Sequence, residues 1–278
     1  MTQNINSFLV LTTHNLPEAY FLVDFLLRQG QNVAVVNLTG RPRSHHVKIF
    51  KRLRKKYGTV YVLDLLLGRL FLPYVIPSHV QPFLDFTPDH IQSYIHAIPY
   101  FESHDLHDHA TLSYIKQFSP DYILAAGAPI LREKLFGLST YGTLNRHLGW
   151  APAYRGSDCP LWTLSLGAFY EVGFIVHYIT KQIDQGDLLM RDTVPIPVGL
   201  SLPQFLAHLQ ITASTGYIEV LDTIIAKAEL TRTPQEPGAH SFHFPPAGLS
   251  TLLKAKRNYQ RFVSRGDPQS IEPGGKSP

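Results

Sequence analysis

Residues 7–38 read SFLVLTTHNLPEAYFLVDFLLRQGQNVAVVNL, and this stretch decides the fold. Ser7 to Thr13 is a short apolar run of the kind that fills a strand buried on both faces, where no solvent side imposes alternation. From Leu16 the apolar residues recur at helical spacing and stop at Gly30, a natural helix closer because it accepts a left-handed backbone. Asn32 to Leu38 is a second β-branched run. Strand, helix and strand in this order make a right-handed βαβ unit. The expected fold class is therefore α/β, with a parallel sheet.

Working outward, His45 to Tyr57 reads as a basic amphipathic helix that carries Lys48, Lys51, Arg52, Arg54, Lys55 and Lys56. Between Gly58 and Pro99 apolar runs and prolines alternate without a clean period, apart from a helix start at Thr87-Pro88-Asp89; helices and loops laid over the sheet are expected there. Ala110 to Phe118 predicts a helix, and Tyr122 to Ala126 a strand leading into the turn Gly127-Ala128-Pro129. Thr143 and Leu144 form a short strand that delivers Asn145 and His147 to its carboxyl end, the side on which open α/β sheets bind ligands. Gly173 to Ile179 alternates as a strand, and Asp192 to Pro197 reads as an edge strand because of its prolines. Ser201 caps a helix running to about Ala228, with Pro203 in its first turn. Leu249 to Val263 is a last amphipathic segment, and residues 266–278 read as a frayed tail. The expected division is a catalytic domain over residues 1–230, with 1–125 as the Rossmann-like half and 126–200 as the motif-bearing half, followed by an extension over 231–278.

A chain of 278 residues with 44% hydrophobic and 17% charged residues can bury a substantial core. Its formal charge of +4 is concentrated in the basic segment. The single cysteine, Cys159, excludes an intramolecular disulfide, a thiolate metal cluster and a redox pair, which suits an intracellular protein. Met1 to Asn6 lacks the basic region of a secretory signal. The most apolar stretch, Thr59 to Val80, is interrupted by Asp64, Gly68, Arg69, Pro73 and Pro77, so no membrane span and a cytoplasmic location are expected.

The chemistry lies in two blocks. The first is Asn145-Arg146-His147-Leu148-Gly149-Trp150-Ala151-Pro152-Ala153-Tyr154-Arg155-Gly156; the second joins Gly173-Phe174-Ile175-Val176-His177-Tyr178 to Ile183-Asp184-Gln185-Gly186-Asp187-Leu188-Leu189. In order and separation they resemble the signature of the folate-dependent formyltransferases: an Asn-x-His pair before a Pro-x-Tyr-Arg-Gly turn, then a Gly-x-x-Val-His strand and an Ile-Asp-x-Gly-Asp loop. The resemblance is strongest from Tyr122 to Pro197. It implies a Rossmann-like, mostly parallel sheet with helices on both faces plus a short C-terminal extension, and an enzyme that uses 10-formyltetrahydrofolate, with Asn145, His147 and Asp184 as catalytic residues. It places the folate at Ala128, Ile130 and Leu131 and at Ile183, Gln185 and Asp187, and the acceptor near Trp150, Tyr154, Arg155 and His177, with no metal. Arg146, Leu148, Gly149, Trp150 and Ala151 depart from the small or aliphatic residues more usual there, so Trp150 is expected to reshape the acceptor pocket.

Formyl transfer requires hydrogen-bond donors aimed at an oxyanion and a route for a proton. Asn145 and His147, one residue apart on a strand end, project to the same side, and Asp184 would hold the imidazole or a water and take the amine's proton. Expected partners are a small-molecule amine, such as a nucleotide-linked amino sugar, and the folate; no membrane partner is expected, nucleic acid is disfavoured, and a homodimer is compatible.

Plainer readings exist for each part: Asn145, His147 and Asp184 as turn residues, Arg155-Gly156 as a structural turn, Trp162 as core. Glu102 to His109 carries three histidines, but its spacing fits no metal pattern and reads as a solvated loop. His45-His46 and the basic helix read as charged surface, or as a patch for an anionic acceptor or RNA. Formyltetrahydrofolate hydrolysis is the alternative reaction, although that enzyme would carry a regulatory domain where the βαβ start stands. A methionyl-tRNA formyltransferase is disfavoured by the short stretch after Pro197, and a glycinamide ribonucleotide enzyme by Thr12-Thr13-His14-Asn15 in place of a Gly-rich turn. A catalytically dead folate binder and a nucleic-acid-binding protein are the non-enzymatic alternatives.

Overall fold

The computed structural model describes residues 6–40, 43–75, 82–83, 85–236 and 241–265, with the backbone alone for 43–48. Its strands are β1 (Ser7–Thr13), β2 (Asn32–Leu38), β3 (Tyr100–Ser103), β4 (Tyr122–Ala125), β5 (Gly142–His147), β6 (Tyr154–Gly156), β7 (Gly173–Tyr178), β8 (Leu188–Thr193) and β9 (Phe242–Phe244). Seven of them form one sheet in the order β3-β2-β1-β4-β5-β7-β8, while β6 and β9 pair separately in parallel. The strands from β3 to β5 are mutually parallel; β7 runs antiparallel to β5, and β8 antiparallel to β7. The chain leaves β1 toward β2 and β3 on one side, then returns to β4 and β5 on the other. That reversal opens a crevice at the carboxyl ends of β1 and β4.

The helices are α1 (Pro17–Arg28), α2 (Arg43–Val75), α3 (Pro88–Ala97), α4 (His109–Phe118), α5 (Glu133–Phe136), α6 (Cys159–Leu166), α7 (Leu202–Ile225) and α8 (Leu249–Ser264). Along β1, Phe8 and Val10 point into the layer of α1, α7 and α8, whereas Leu9 and Leu11 point into the layer of α4 and α5. The period of two in a strand thus divides one apolar run between two cores. Helix starts carry the caps their sequences announce: Thr87 accepts from the His90 amide at 3.3 Å, Asp108 from the Thr111 amide at 2.7 Å, and the Gln204 side chain from the Ser201 amide at 2.9 Å.

Several expectations are corrected. Tyr100–Ser103 is a fifth parallel strand that the sequence does not announce, and it takes up part of the expected solvated loop. The edge strand is Leu188–Thr193 rather than Asp192 to Pro197, because Pro195 and Pro197 cannot donate to a ladder. Val194 and Ile196 are buried as extended chain beyond it. Trp162 is half-buried: its indole N–H donates to the Pro245 carbonyl at 2.8 Å, and its ring stacks on Phe244. The C-terminal extension is no appendage. Phe242–Phe244 pairs with β6, and Ala255, Tyr259 and Phe262 of α8 enter the main core. The expected tail at 266–278 lies outside the described residues.

Nor does α2 lie over the sheet. Gly58, at φ 88°, breaks it into a basic limb and an apolar one, as glycine permits. Asp64 of the apolar limb accepts from the amide and hydroxyl of Ser250 at 2.9 and 2.7 Å, and the Tyr61 hydroxyl donates to the Pro246 carbonyl at 2.7 Å. At Gly68 a Cβ would lie 2.7 Å from the Leu249 amide nitrogen, so only glycine allows the helices this close. By length and composition alone, Ile49–Val75 would suffice to cross a membrane.

Beneath the motif-bearing strand, Arg146 points to the opposite side from Asn145 and His147. It is ion-paired to Glu18 of α1, both side chains nearly buried, and reaches the Gln210 carbonyl at 3.5 Å. A buried pair stripped of one partner leaves an uncompensated charge, which costs about 3 kcal/mol or more. Glu18→Ala is therefore expected to lower the unfolding free energy by about 3 kcal/mol in urea titrations; an unchanged midpoint would mean that solvent already screens Arg146.

Candidate active site

On β5, Leu144 and Arg146 face the helical layer, so Asn145 and His147 must face the other way. The antiparallel register sets Asn145 opposite His177 of β7, and cross-strand partners project to the same face. The Asn145 Nδ2 donates to His177 Nε2 at 3.1 Å, and His177 Nδ1 donates to the Tyr178 carbonyl at 2.8 Å. Asp184 follows β7 on a loop and adopts a left-handed backbone with φ 53°. Its carboxylate lies between two imidazoles, with Oδ2 at 3.7 Å from His147 Nδ1 and Oδ1 at 3.7 Å from His177 Nε2. The Gly156 amide donates to Oδ2 at 3.0 Å. Asn145, His147 and Asp184, separated along the chain, thus meet around His177.

His147 is nearly buried, and its Nε2 donates to the Tyr154 carbonyl at 3.2 Å. That contact leaves Nδ1 as the nitrogen turned to Asp184. Gly149 makes the arrangement possible: a Cβ there would lie 2.4 Å from His147 Nε2, 2.6 Å from the Tyr154 oxygen and 2.9 Å from the Cys159 Cβ. Burial drives the pKa of His177 below the usual histidine value, against the pull of Asp184 and the Tyr178 carbonyl. Burial, with Asp184 and Asp158 nearby, pushes the Cys159 thiol far up, so it is an inert packing group. Among the described residues no group of three His, Cys, Asp or Glu is arranged to hold a metal ion.

The residues expected to hold the folate divide. Ala128 is half-buried and Ile130 exposed on the turn after β4, but Leu131 points into the core beside α5, leaving only its backbone to meet a ligand. In the second loop Ile183 is exposed while Gln185 and Asp187 are half-buried. The loop is tightly anchored: the Tyr178 amide donates to the Asp187 carbonyl at 3.0 Å, Gln235 Nε2 to the Gly186 carbonyl at 2.7 Å, and Arg155 to the Ile183 carbonyl at 3.4 Å. A Cβ at Gly186 would lie 1.8 Å from the Tyr178 oxygen, so that position admits no other residue. Gln235 Oε1, Arg155 Nε and the Tyr178 hydroxyl, all on residues that anchor this loop, are buried and have no hydrogen-bond partner among the described residues. Of these, Gln235 Oε1 and Arg155 Nε suit a ligand with a planar edge of donors and acceptors, whereas the Tyr178 ring packs in the core on the opposite face of the sheet, against Gly142.

The acceptor residues are corrected in part. The Tyr154 side chain stacks on Phe244 at 5.6 Å and hydrogen-bonds Glu171, so only its carbonyl serves the site. Arg155 is a buried clamp rather than an open anion contact, with its second terminal nitrogen 2.7 Å from the Ser241 hydroxyl. Trp150 is held under the Arg191 guanidinium, 4.7 Å from the ring centroid. His177 lies within the cluster of Asn145, His147 and Asp184 itself. In place of a Gly-rich turn, His14 and Asn15 both adopt left-handed backbones, fixed by Asn37 Oδ1 accepting from the Asn15 amide at 2.9 Å and by the Tyr20 hydroxyl donating to Asn15 Oδ1 at 2.7 Å. Sequence reasoning missed Gln235, Ser241, Arg191 and the Asn15–Asn37 pair. Only Gly149 carried a local signal, as a glycine two residues after His147.

Two consequences are measurable. Gly149→Ala should displace the His147 ring, visible as shifted ring-nitrogen resonances in NMR spectra, and lower the urea midpoint, because the added Cβ also meets the Tyr154 carbonyl; unmoved resonances would remove the constraint assigned to Gly149. Because His177 holds its proton less tightly in the folded chain than the ordinary value of about 6.5, the unfolded chain binds more protons as pH falls through that value. Stability should therefore decline on acidification below about pH 6.5, and His177→Gln should flatten the decline in calorimetric titrations. An equally steep slope in the variant would assign the effect to other groups.

Comparison with known proteins agrees with this geometry. The curated methionyl-tRNA formyltransferase of Halalkalibacterium halodurans is 32% identical over 156 residues, 56% of this chain and 49% of that protein. The one from Lactiplantibacillus plantarum is 28% identical over 148 residues, 53% of this chain and 46% of that protein. The chain thus spans about half the length of the curated relatives it matches. In fold it is similar to the glycinamide ribonucleotide transformylase 1 of Symbiobacterium toebii, with a TM-score of 0.56 at 12% identity over 84% of this chain and 99% of that one. It is equally similar to a sugar N-formyltransferase from Shewanella sp, with a TM-score of 0.56 at 13% identity over 91% and 88%. Residues 23–221 match the family described as formyl transferase, which is most of the chain and includes both motif blocks, and the protein belongs to that family.

Proposed function

We propose that this protein transfers a formyl group from 10-formyltetrahydrofolate to the amine of a small molecule, a nucleotide-linked amino sugar. The observation that carries the reading is the cluster of Asn145, His147, His177 and Asp184 at the β5–β7 pairing, in a chain of the formyl transferase family. The folate would supply an activated formyl carbon. The segments 128–131 and 182–187, with Gln235 Oε1 and Arg155 Nε, are the groups that would hold it.

Asn145 donates one amide hydrogen to His177 and keeps the second for the formyl oxygen as that oxygen gains negative charge. The pairing also fixes which end of the amide points into the site. His177, kept neutral by burial, presents Nε2 as the acceptor that this orientation requires. His147 Nδ1 and Asp184 Oδ2 face each other at 3.7 Å, and with Nε2 carrying the ring proton both are acceptors. A proton shed by the attacking amine is therefore stabilised between them, then given to the leaving nitrogen as the old carbon–nitrogen bond breaks. A sugar acceptor would meet the turn of His14 and Asn15 after β1, whose shape the buried Asn37 and Tyr20 side chains hold by their bonds to Asn15.

The test is to incubate the purified chain with 10-formyltetrahydrofolate and a panel of nucleotide-linked amino sugars, following tetrahydrofolate release and the mass of the formylated product. Asn145→Ala, His147→Ala and Asp184→Asn are each expected to lower kcat by about a hundred- to a thousandfold, with the circular dichroism spectrum unchanged. Formate release without an amine would assign hydrolysis instead, and formylation of methionyl-tRNA but of no sugar would overturn the acceptor.

A further inference from the structure

The apolar limb of α2 has two faces with different fates. Tyr61, Asp64, Leu65 and Gly68 lie on α8, through the contacts to Pro246, Ser250 and Leu249 described above. The opposite strip, Val60, Leu63, Leu67, Leu70 and Tyr74, follows helical spacing as closely and faces solvent, with Val60 81%, Leu63 56%, Leu70 64% and Tyr74 77% exposed. Phe71 widens it. A continuous apolar strip of this kind marks an interaction surface rather than ordinary exposed residues.

What should cover it is indicated by the limb before Gly58. From Arg43 to Leu63 the sequence holds Arg43, Lys48, Lys51, Arg52, Arg54, Lys55 and Lys56 and no Asp or Glu. Lys51, Arg52, Arg54, Lys55 and Lys56 are exposed, and none of them forms an ion pair among the described residues. We propose that α2 docks this protein on an anionic lipid surface, the apolar strip entering the boundary between headgroups and acyl chains and the basic limb lying on the phosphates.

A bilayer supplies both complements at once, apolar depth beside negative charge. A second copy of the chain could match the apolar strip, but along this element it would offer only Asp64 to the cations, and Asp64 is already held by Ser250. Gly58 lets the two limbs take different angles, as a helix that is partly inserted and partly surface-bound requires. Association rather than spanning follows from dimensions: residues 59–75 rise about 25 Å, short of a hydrocarbon core of about 30 Å, and one face stays bound to α8.

The experiment is co-sedimentation of the full chain with vesicles of phosphatidylcholine alone and of phosphatidylcholine and phosphatidylglycerol in equal parts, with lipid-free mass measured by light scattering. Binding to the mixed vesicles, weakened by salt and absent on neutral ones, is expected. Leu63→Glu with Leu70→Glu should abolish it, and Lys51→Glu with Arg54→Glu and Lys55→Glu should weaken it by at least about tenfold, both variants keeping the wild-type circular dichroism spectrum. Three results would overturn the proposal: no binding to the anionic vesicles, binding that both variants retain, or a lipid-free dimer that Leu63→Glu with Leu70→Glu dissociates. Salt-sensitive retention of RNA without vesicle binding would also overturn it, by assigning the basic limb to nucleic acid.

Discussion

The antiparallel pairing of β5 with β7 is the constraint on which the site rests. In a sheet that is otherwise parallel up to this point, the reversal sets Asn145 directly across from His177 and releases the chain from β7 beside the start of β5, where the Ile179 amide donates to the Thr143 carbonyl. Asp184 can then stand between His147 and His177, tied to the Gly156 amide. Two glycines make the close approach possible, Gly149 beneath His147 and Gly186 against the Tyr178 carbonyl.

Around this pairing the C-terminal extension acts as a brace. Gln235 holds the Gly186 carbonyl, Ser241 holds Arg155, and β9 pairs with β6 directly beside the Gly156 amide that binds Asp184. The loop that carries Asp184 is therefore fixed by residues about fifty or more positions further along the chain. The other side of β5 is fixed as firmly, by Arg146 on Glu18 and by the Tyr217 hydroxyl donating to the Leu144 carbonyl at 3.0 Å. A strand gripped on both faces keeps its side chains in place, as positional catalysis requires.

The helix α2 departs from this economy, since it spends one face on α8 and leaves the other apolar and in solvent. Its exposure follows from placement rather than composition. A helix of the same sequence laid over the sheet would bury those leucines, but Asp64 and Gly68 commit its inner face to the start of α8. The outer face then has no partner within the described residues.

Much of the architecture was legible in the sequence. The βαβ start, the caps at Thr87 and Ser201 and the amphipathic Leu249 to Val263 are local patterns, written in spacing and in residues that close or open helices. The two motif blocks were legible too, because their order and separation are specific, and Asn145, His147 and Asp184 do meet. What remained hidden lay in contacts between distant residues. Tyr100–Ser103 becomes a strand only because β2 offers it an edge. Leu131 is core and Tyr154 serves through its carbonyl because α5 and Phe244 claim their side chains. Glu18 reaches Arg146 across 128 positions and Ser241 reaches Arg155 across 86. Periodicity and capping act over a few residues and so determine which elements form; the face each element buries, and the partner each polar group finds, are decided only when elements remote in the chain pack together.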